Sequence, residues 1–230
     1  MNIGNTNVQY AESDGKIIGR VCQVPTAEFT DKIIPDDCVV AAVSVVPALK
    51  KSLEHRDIYW LTSKSRLNID LSRVDAPALG GDRLANAVNL AAVSRLPACS
   101  IDFGTCITFE VIDENNVFRG GAIAPGRTLL RRSLHNYTAQ LPMIPLCDEA
   151  APDLGETTES AMRLGVDNGV VGTVQELIAD VRRHFVNKEV IFYATGGDQK
   201  FFTDRIGGLI SGGDEFTLQG VLKGWEMNCR

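Results

Sequence analysis

The chain has 230 residues, with 23 Lys+Arg against 29 Asp+Glu and a formal net charge of -6 at pH 7. Its 44% apolar and 23% charged residues suit a globular α/β protein with one large core or two smaller ones. An acidic chain without a Lys/Arg cluster lacks the footprint of a nucleic-acid scaffold, and no apolar run approaches the roughly 18–20 residues of a membrane span. The amino terminus has no basic region followed by an apolar stretch, so a cytoplasmic location is expected, with neither nucleic acid nor membrane as partner.

In chain order, Lys16–Val24 (KIIGRVCQV), Cys38–Val46 (CVVAAVSVV) and Ile58–Leu61 read as strands, being short and β-branched or aromatic-rich. Pro47–His55 reads as a short helix. Arg83–Leu96 is a clearer one, with Leu84, Ala87, Val88, Ala91 and Leu96 on one face before Pro97 ends it. Ala98–Phe103 and Ile107–Ile112 are strands, and Asn115–Asn116 turns the chain into Val117–Phe118. Gly120-Gly121 and Pro125-Gly126 precede a helix near Thr128–Leu134. Glu159–Phe185 is helical, and its internal Gly165, Gly169 and Gly172 predict two helices rather than one. Glu189–Ala194 is a strand that runs into Thr195-Gly196-Gly197-Asp198, and Phe216–Asn228 forms a last helix.

The six cysteines are scattered, with no C-x-x-C pair and no histidine at metal-ligand spacing, which argues against a zinc site. Four of them lie in or beside apolar runs and are expected to act as small buried hydrophobes. His55, His135 and His184 are isolated and expected at the surface or as caps.

One segment echoes another. Asn2-Ile3-Gly4-Asn5-Thr6-Asn7-Val8 recurs as Asp102-Phe103-Gly104-Thr105-Cys106-Ile107-Thr108, each a strand, a Gly/Thr turn and a second strand. The repeat implies two similar halves, 1–97 and 98–230, divided near Pro97. Such turns offer backbone amides and hydroxyls to phosphate oxygens, and two of them facing each other would grip a polyphosphate from both sides. Taken singly, each also suits an ordinary hairpin. There is no G-x-x-x-x-G-K-[ST] loop and no G-x-G-x-x-G opening a helix after a strand.

Two further motifs carry chemistry. Leu79-Gly80-Gly81-Asp82-Arg83 opens the Arg83–Leu96 helix. Asp82 there is either a plain N-cap or a group that takes a hydroxyl proton, with Arg83 beside it to bind a substrate anion. Thr195-Gly196-Gly197-Asp198 is either a strand-to-helix turn or a place where a flat ring or phosphate approaches the backbone.

Together, GNTN (Gly4–Asn7), VSVVP (Val43–Pro47), LGGDRLAN (Leu79–Asn86), IDFGTCITFEV (Ile101–Val111), GGAIAPG (Gly120–Gly126), GETT (Gly155–Thr158) and TGGD (Thr195–Asp198) resemble the type III pantothenate kinases in content and order. The resemblance implies an actin-like ATPase fold: two ribonuclease-H-like domains with an ATP cleft between them. It implies a kinase that uses ATP to turn pantothenate into 4′-phosphopantothenate, the first step of coenzyme A synthesis. In that reading Asp82 is the base, and Gly80, Gly81, Asp82, Arg83 and Thr157 or Thr158 hold pantothenate. Asn2, Gly4, Asn5, Thr6, Asn7, Gly104, Thr105, Gly196 and Gly197 would contact ATP. Asp102 would hold a monovalent cation, K+ or NH4+, with Mg2+ arriving on ATP, and the family is homodimeric. Asn2 stands where the family carries Asp, and Arg73 where it commonly has Tyr. The alternative is a catalytically impaired relative that binds ligand or assists transcription.

Overall fold

Two five-stranded sheets repeat one plan. In the computed structural model, which describes residues 1–149 and 153–230, the first sheet comprises β1 (Asn2–Ile3), β2 (Asn7–Tyr10), β3 (Cys22–Pro25), β4 (Val40–Ser44) and β5 (Ile58–Trp60). The second comprises β6 (Ala98–Phe103), β7 (Cys106–Ile112), β8 (Ile123–Pro125), β9 (Ile191–Thr195) and β10 (Leu209–Ser211). Their orders, β3-β2-β1-β4-β5 and β8-β7-β6-β9-β10, are the same topology. In each, an antiparallel three-strand meander is extended by two parallel strands. Each sheet takes all its strands from one side of Pro97.

Helices follow the same plan unevenly. α1 (Pro47–Ser52) joins β4 to β5, and α5 (Gln199–Thr203) joins β9 to β10. α2 (Gly81–Val93) follows the first sheet and α6 (Phe216–Cys229) the second. Between β8 and β9 run α3 (Arg127–Asn136) and the long α4 (Thr158–His184), where the first half has only two 3-10 turns.

α2 and α6 pack against each other. α2 also touches β4, β6 and β7, and α6 touches β1 and β4, so the helix pair lies between the sheets. Val43, Leu84, Val88, Ala98, Ile112 and Phe216 belong to this central core. Strand alternation then divides β7: Ile107, Phe109 and Val111 enter the outer core under α4, while Ile112 faces the central one.

Three expectations are corrected. The segment Lys16–Val24 is strand only from Cys22, because the Asp14 carboxylate accepts from the Lys16 and Ile17 amides at 2.8 Å each and folds the preceding residues into a turn. The region 159–185 is one helix of 27 residues, not two. Gly165, Gly169 and Gly172 face open space, while Met162, Val166, Val170, Val174 and Ile178 are buried at helical spacing. That burial, roughly 1.5–3 kcal/mol per large apolar side chain, outweighs about 1 kcal/mol per glycine. Among the cysteines only Cys99 is buried; Cys38, Cys106 and Cys229 are exposed and all six are free. β-strand alternation and strand ends, not local hydropathy, decide which thiols go inside.

Candidate active site

The two Gly/Thr turns meet. Gly4 N donates to Asn7 O at 3.0 Å in the first, and Gly104 N donates to Cys106 O at 3.1 Å in the second. Thr6 Oγ1 and Thr105 Oγ1 lie 2.7 Å apart, hydrogen-bonded across 99 residues of chain. Each turn is braced in the same way by the residue after its third strand. Thr26 N donates to Thr6 O at 2.8 Å, and Gly126 N donates to Thr105 O at 3.0 Å. A side chain at Gly126 would overlap the Gly104 carbonyl, so that brace requires glycine. The result is two hydroxyl-bearing turns of few charges, face to face.

The amino end of α2 stands beside this pair. Its N-cap is Gly80, with no side-chain cap, and Asp82 lies inside the first turn rather than at the cap. Gly81 packs on Val43 and Ser44 of β4. The Asp82 carboxylate accepts the Arg83 amide at 2.7 Å through Oδ1. Burial holds its pKa above the ordinary aspartate value, opposed by that amide and by the Arg83 charge.

Below α2, alternation along β6 and β7 lines up Ser100, Asp102, Thr108 and Glu110. The antiparallel register sets Ser100 opposite Glu110 and Asp102 opposite Thr108. Asn86 Nδ2, one turn after Asp82, donates to Asp102 Oδ2 at 3.3 Å, and Thr217 Oγ1 of α6 donates to Asn86 Oδ1 at 2.7 Å. Burial, and then the Asp82 charge, push the Asp102 carboxyl up to about 6. Arg83 points its Nε at Glu110 Oε1, 2.9 Å away, and its Nη2 at the Phe109 carbonyl, also 2.9 Å. Ser100 Oγ donates to Glu110 Oε2 at 3.1 Å. Burial pushes Glu110 up to about 7 against the pull of Arg83.

Gly196 closes the floor. Its φ of +90° and a Cβ that would strike the Asp102 carboxylate and Phe103 backbone both demand glycine. Gly197 faces open space. Asp198 N donates to Phe103 O at 3.0 Å, and its carboxylate accepts Arg127 Nη1 at 2.8 Å. Arg127 is fully buried; its Nε donates to Asp167 at 3.0 Å, and Arg131 donates to both Asp167 oxygens, at 2.8 and 3.0 Å. This ion cluster ties the TGGD turn to α3 and α4.

Other expected residues stand differently. Asn2 Nδ2 donates to Gln9 Oε1 at 3.5 Å, while Asn2 Oδ1 is buried without a partner. Asn5 and Thr6 are exposed. Thr157 caps α4 in a capping box with Ser160, and Thr158 borders an apolar groove between α3 and α4. No hydrogen bond or ion pair among the described residues joins either threonine to Asp82.

The donor set fits a weakly held cation. Asp102 has a single hydrogen bond from Asn86, a second carboxylate close by, and no basic partner among the described residues. No cluster of three or more His, Cys, Asp or Glu gathers among the described residues, so a divalent ion would depend on phosphate oxygens for most of its ligands.

Sequence reasoning missed Glu110, Asn86, Thr217 and the Arg127 cluster. A glutamate inside ITFEVI and an Asn four residues after Asp82 were visible signals. The Arg127–Asp167 pair, 40 residues apart, had none.

A family model described as type III pantothenate kinase matches residues 1–180. The chain belongs to the type III pantothenate kinase family. A type III pantothenate kinase of Flavobacterium johnsoniae is 31% identical over 242 residues, covering 98% of this chain and 96% of the relative. One of Akkermansia muciniphila is 32% identical, covering 94% and 93%. One of Methylacidiphilum infernorum is 33% identical over 165 residues, which is 71% of this chain and 60% of that protein. Among solved structures, a Baf family transcriptional activator of Campylobacter jejuni has a TM-score of 0.67 at 19% identity, with 98% and 96% covered. The activator of 2-hydroxyisocaproyl-CoA dehydratase of Clostridium difficile, with bound ADPNP, has a TM-score of 0.53 at 13% identity, with 97% and 90% covered. These two carry the fold alone: the family member has the expected α/β, actin-like ATPase architecture. No helix among the described residues is long and apolar enough to cross a membrane.

Proposed function

We propose that the chain transfers the γ-phosphoryl group of ATP to the 4′-hydroxyl of pantothenate, giving ADP and 4′-phosphopantothenate. The observation that carries the reading is the 2.7 Å meeting of Thr6 and Thr105, beside the helix end that bears Asp82. Phosphoryl transfer passes through a loose transition state, so placement and charge neutralisation contribute more than a strong base. Asp82 orients the hydroxyl and takes its proton late. Gly80, Gly81 and Arg83 surround pantothenate, with Thr157 or Thr158 contributing from α4. Asn2, Gly4, Asn5, Thr6, Asn7, Gly104 and Thr105 hold the phosphates, and Gly196 and Gly197 lie near the adenosine, in a cleft between halves 1–97 and 98–230. When bound, K+ or NH4+ at Asp102 and Mg2+ on ATP supply positive charge where the loops carry no lysine.

We further propose a cytoplasmic homodimer. The support is a groove of about 630 Å3 lined by Leu130, Leu134, Leu141, Met162 and Val166, with Thr158 at its edge. Tyr137 and Leu154 are 89% and 77% exposed. A second copy seated there would bring its own surface to the α4 threonines.

The second reading, a ligand binder with impaired turnover, is favoured by Asn2, whose buried Oδ1 lacks a partner and whose neutral amide is a poorer Mg2+ or water ligand than a carboxylate. The deciding experiment is ADP release with and without pantothenate, in potassium and in sodium. Pantothenate-dependent ADP that rises with potassium is the expected result. ADP binding without turnover that Asn2→Asp restores would select the second reading.

A further inference from the structure

We propose that Glu110 is a positioning residue that pins the Arg83 guanidinium by its Nε edge, keeps it off the Asp82 carboxylate, and leaves Nη1 as the donor facing the acceptor substrate. This rests on the assignment of Asp82 and Arg83 to the acceptor site.

Glu110 has no exposed surface and sits in β7 between Phe109 and Val111, which are also buried. An ionised carboxylate there costs several kcal/mol unless it is paired and hydrogen-bonded. Both oxygens are used: Arg83 Nε reaches Oε1 at 2.9 Å and Ser100 Oγ reaches Oε2 at 3.1 Å. The carboxylate is therefore held between α2 and β6, with Ser100 fixing the oxygen that Arg83 does not use.

Arginine is a rigid planar fork, so fixing one edge fixes its whole plane. Here Nε is held by Glu110 and Nη2 by the Phe109 carbonyl at 2.9 Å. Without that hold, the guanidinium is free to turn to the carboxylate of the adjacent residue, Asp82. The Arg83 charge already acts on Asp82, and Asp82 acts on Asp102. An arginine that swung to Asp82 would occupy the base and withdraw the donor from the substrate anion together. Glu110 thus separates the two functions of adjacent residues: Arg83 binds and Asp82 accepts a proton.

The test compares wild type, isosteric Glu110→Gln and the shorter but charged Glu110→Asp, by kinetics and by nitrogen-15 NMR of arginine side chains. The Arg83 Nε–H resonance is the one that Arg83→Lys removes. In Glu110→Gln it is expected to exchange with solvent at least about tenfold faster, with the far-ultraviolet circular dichroism and melting transition retained. KM for pantothenate is expected to rise about tenfold or more while KM for ATP stays within about twofold. Glu110→Asp should lie between, and it carries the same readouts if the glutamine variant does not fold. An unchanged Arg83 resonance, or equal rises in both KM values, overturns the proposal. Absence of pantothenate turnover in wild type would overturn the kinase reading instead; the NMR comparison would still decide whether Glu110 holds Arg83.

Discussion

The two sheets share strand order and turn bracing but differ in depth. In the first sheet the central strand β1 has two residues, whereas its counterpart β6 has six and pairs with a seven-residue β7. The Met1 ammonium, at the edge of that short strand, donates to the Ala41 carbonyl at 2.6 Å, and burial pushes its pKa down to about 5. An opening of about 840 Å3 bordered by Tyr10, Ile34, Val40 and Trp225 adjoins it. The second sheet instead carries two carboxylates, Asp102 and Glu110, whose values burial raises. The difference teaches that presenting a phosphate-sized turn needs only the strand–turn–strand geometry and its brace. Burying charge beside the turn needs the deeper sheet.

That contrast can be sharpened by variants. The largest expected effect is at α2, where Asp82→Asn should lower pantothenate-dependent ADP release by about 10²- to 10⁴-fold with the melting temperature retained; unchanged turnover would remove Asp82 from the mechanism. Next comes the cation at β6. Asp102→Ala should abolish most of the difference between potassium and sodium rates, and an unaltered potassium response would remove that assignment. Third, the two braces should fail unequally. Gly126→Ala forces a methyl onto the Gly104 carbonyl, and should destabilise by about 1–3 kcal/mol, read by urea denaturation. Thr26→Ser keeps the backbone donor and the hydroxyl that bonds Gly4 O at 2.7 Å, and should cost less than about 1 kcal/mol.

The most diagnostic contrast is in pH, to which the two sheets should respond with opposite sign. Asp102 and Glu110 have raised values, about 6 and about 7. Between the ordinary carboxylate range and those values the folded chain binds more protons than the unfolded one, so their contribution to stability falls as pH rises to about 7. Met1 has a lowered value, about 5 against 8.0. There the unfolded chain binds more protons, so stability rises with pH from about 5 to 8. Each is worth on the order of 3–4 kcal/mol, at about 1.4 kcal/mol per pKa unit. Acetylating the Met1 amine should remove the rising limb and uncover the fall, and a pH profile of unfolding free energy that acetylation does not tilt would refute the assignment.

Much of this was legible in residues alone. The seven-residue echo found both turns, and the meander-plus-parallel topology extends it, since Pro25 and Pro125 end corresponding strands and Thr26 and Gly126 follow them. The strand Ala98–Phe103 agrees with the hydropathy pattern because a short apolar run buried on both faces is a local signal. The 159–185 region was misread because glycine propensity is local and weak, whereas the buried face of α4 gains its stability from a core formed by other elements. Among the cysteines only Cys99 is buried, because exposure depends on where a strand starts and which face a residue takes, not on local hydropathy.

The sequence by itself determined the turns, the α2 motif and the family, since these rest on contiguous residues whose backbone geometry and order along the chain are local facts. Tertiary structure alone decided that Thr6 meets Thr105, that Asn86 bridges Asp102 and Thr217, and that Glu110 rather than solvent faces Arg83. Those contacts join residues from 16 to 131 positions apart. They form because burying α2 and α6 between two sheets leaves each polar side chain one set of partners that repays its desolvation.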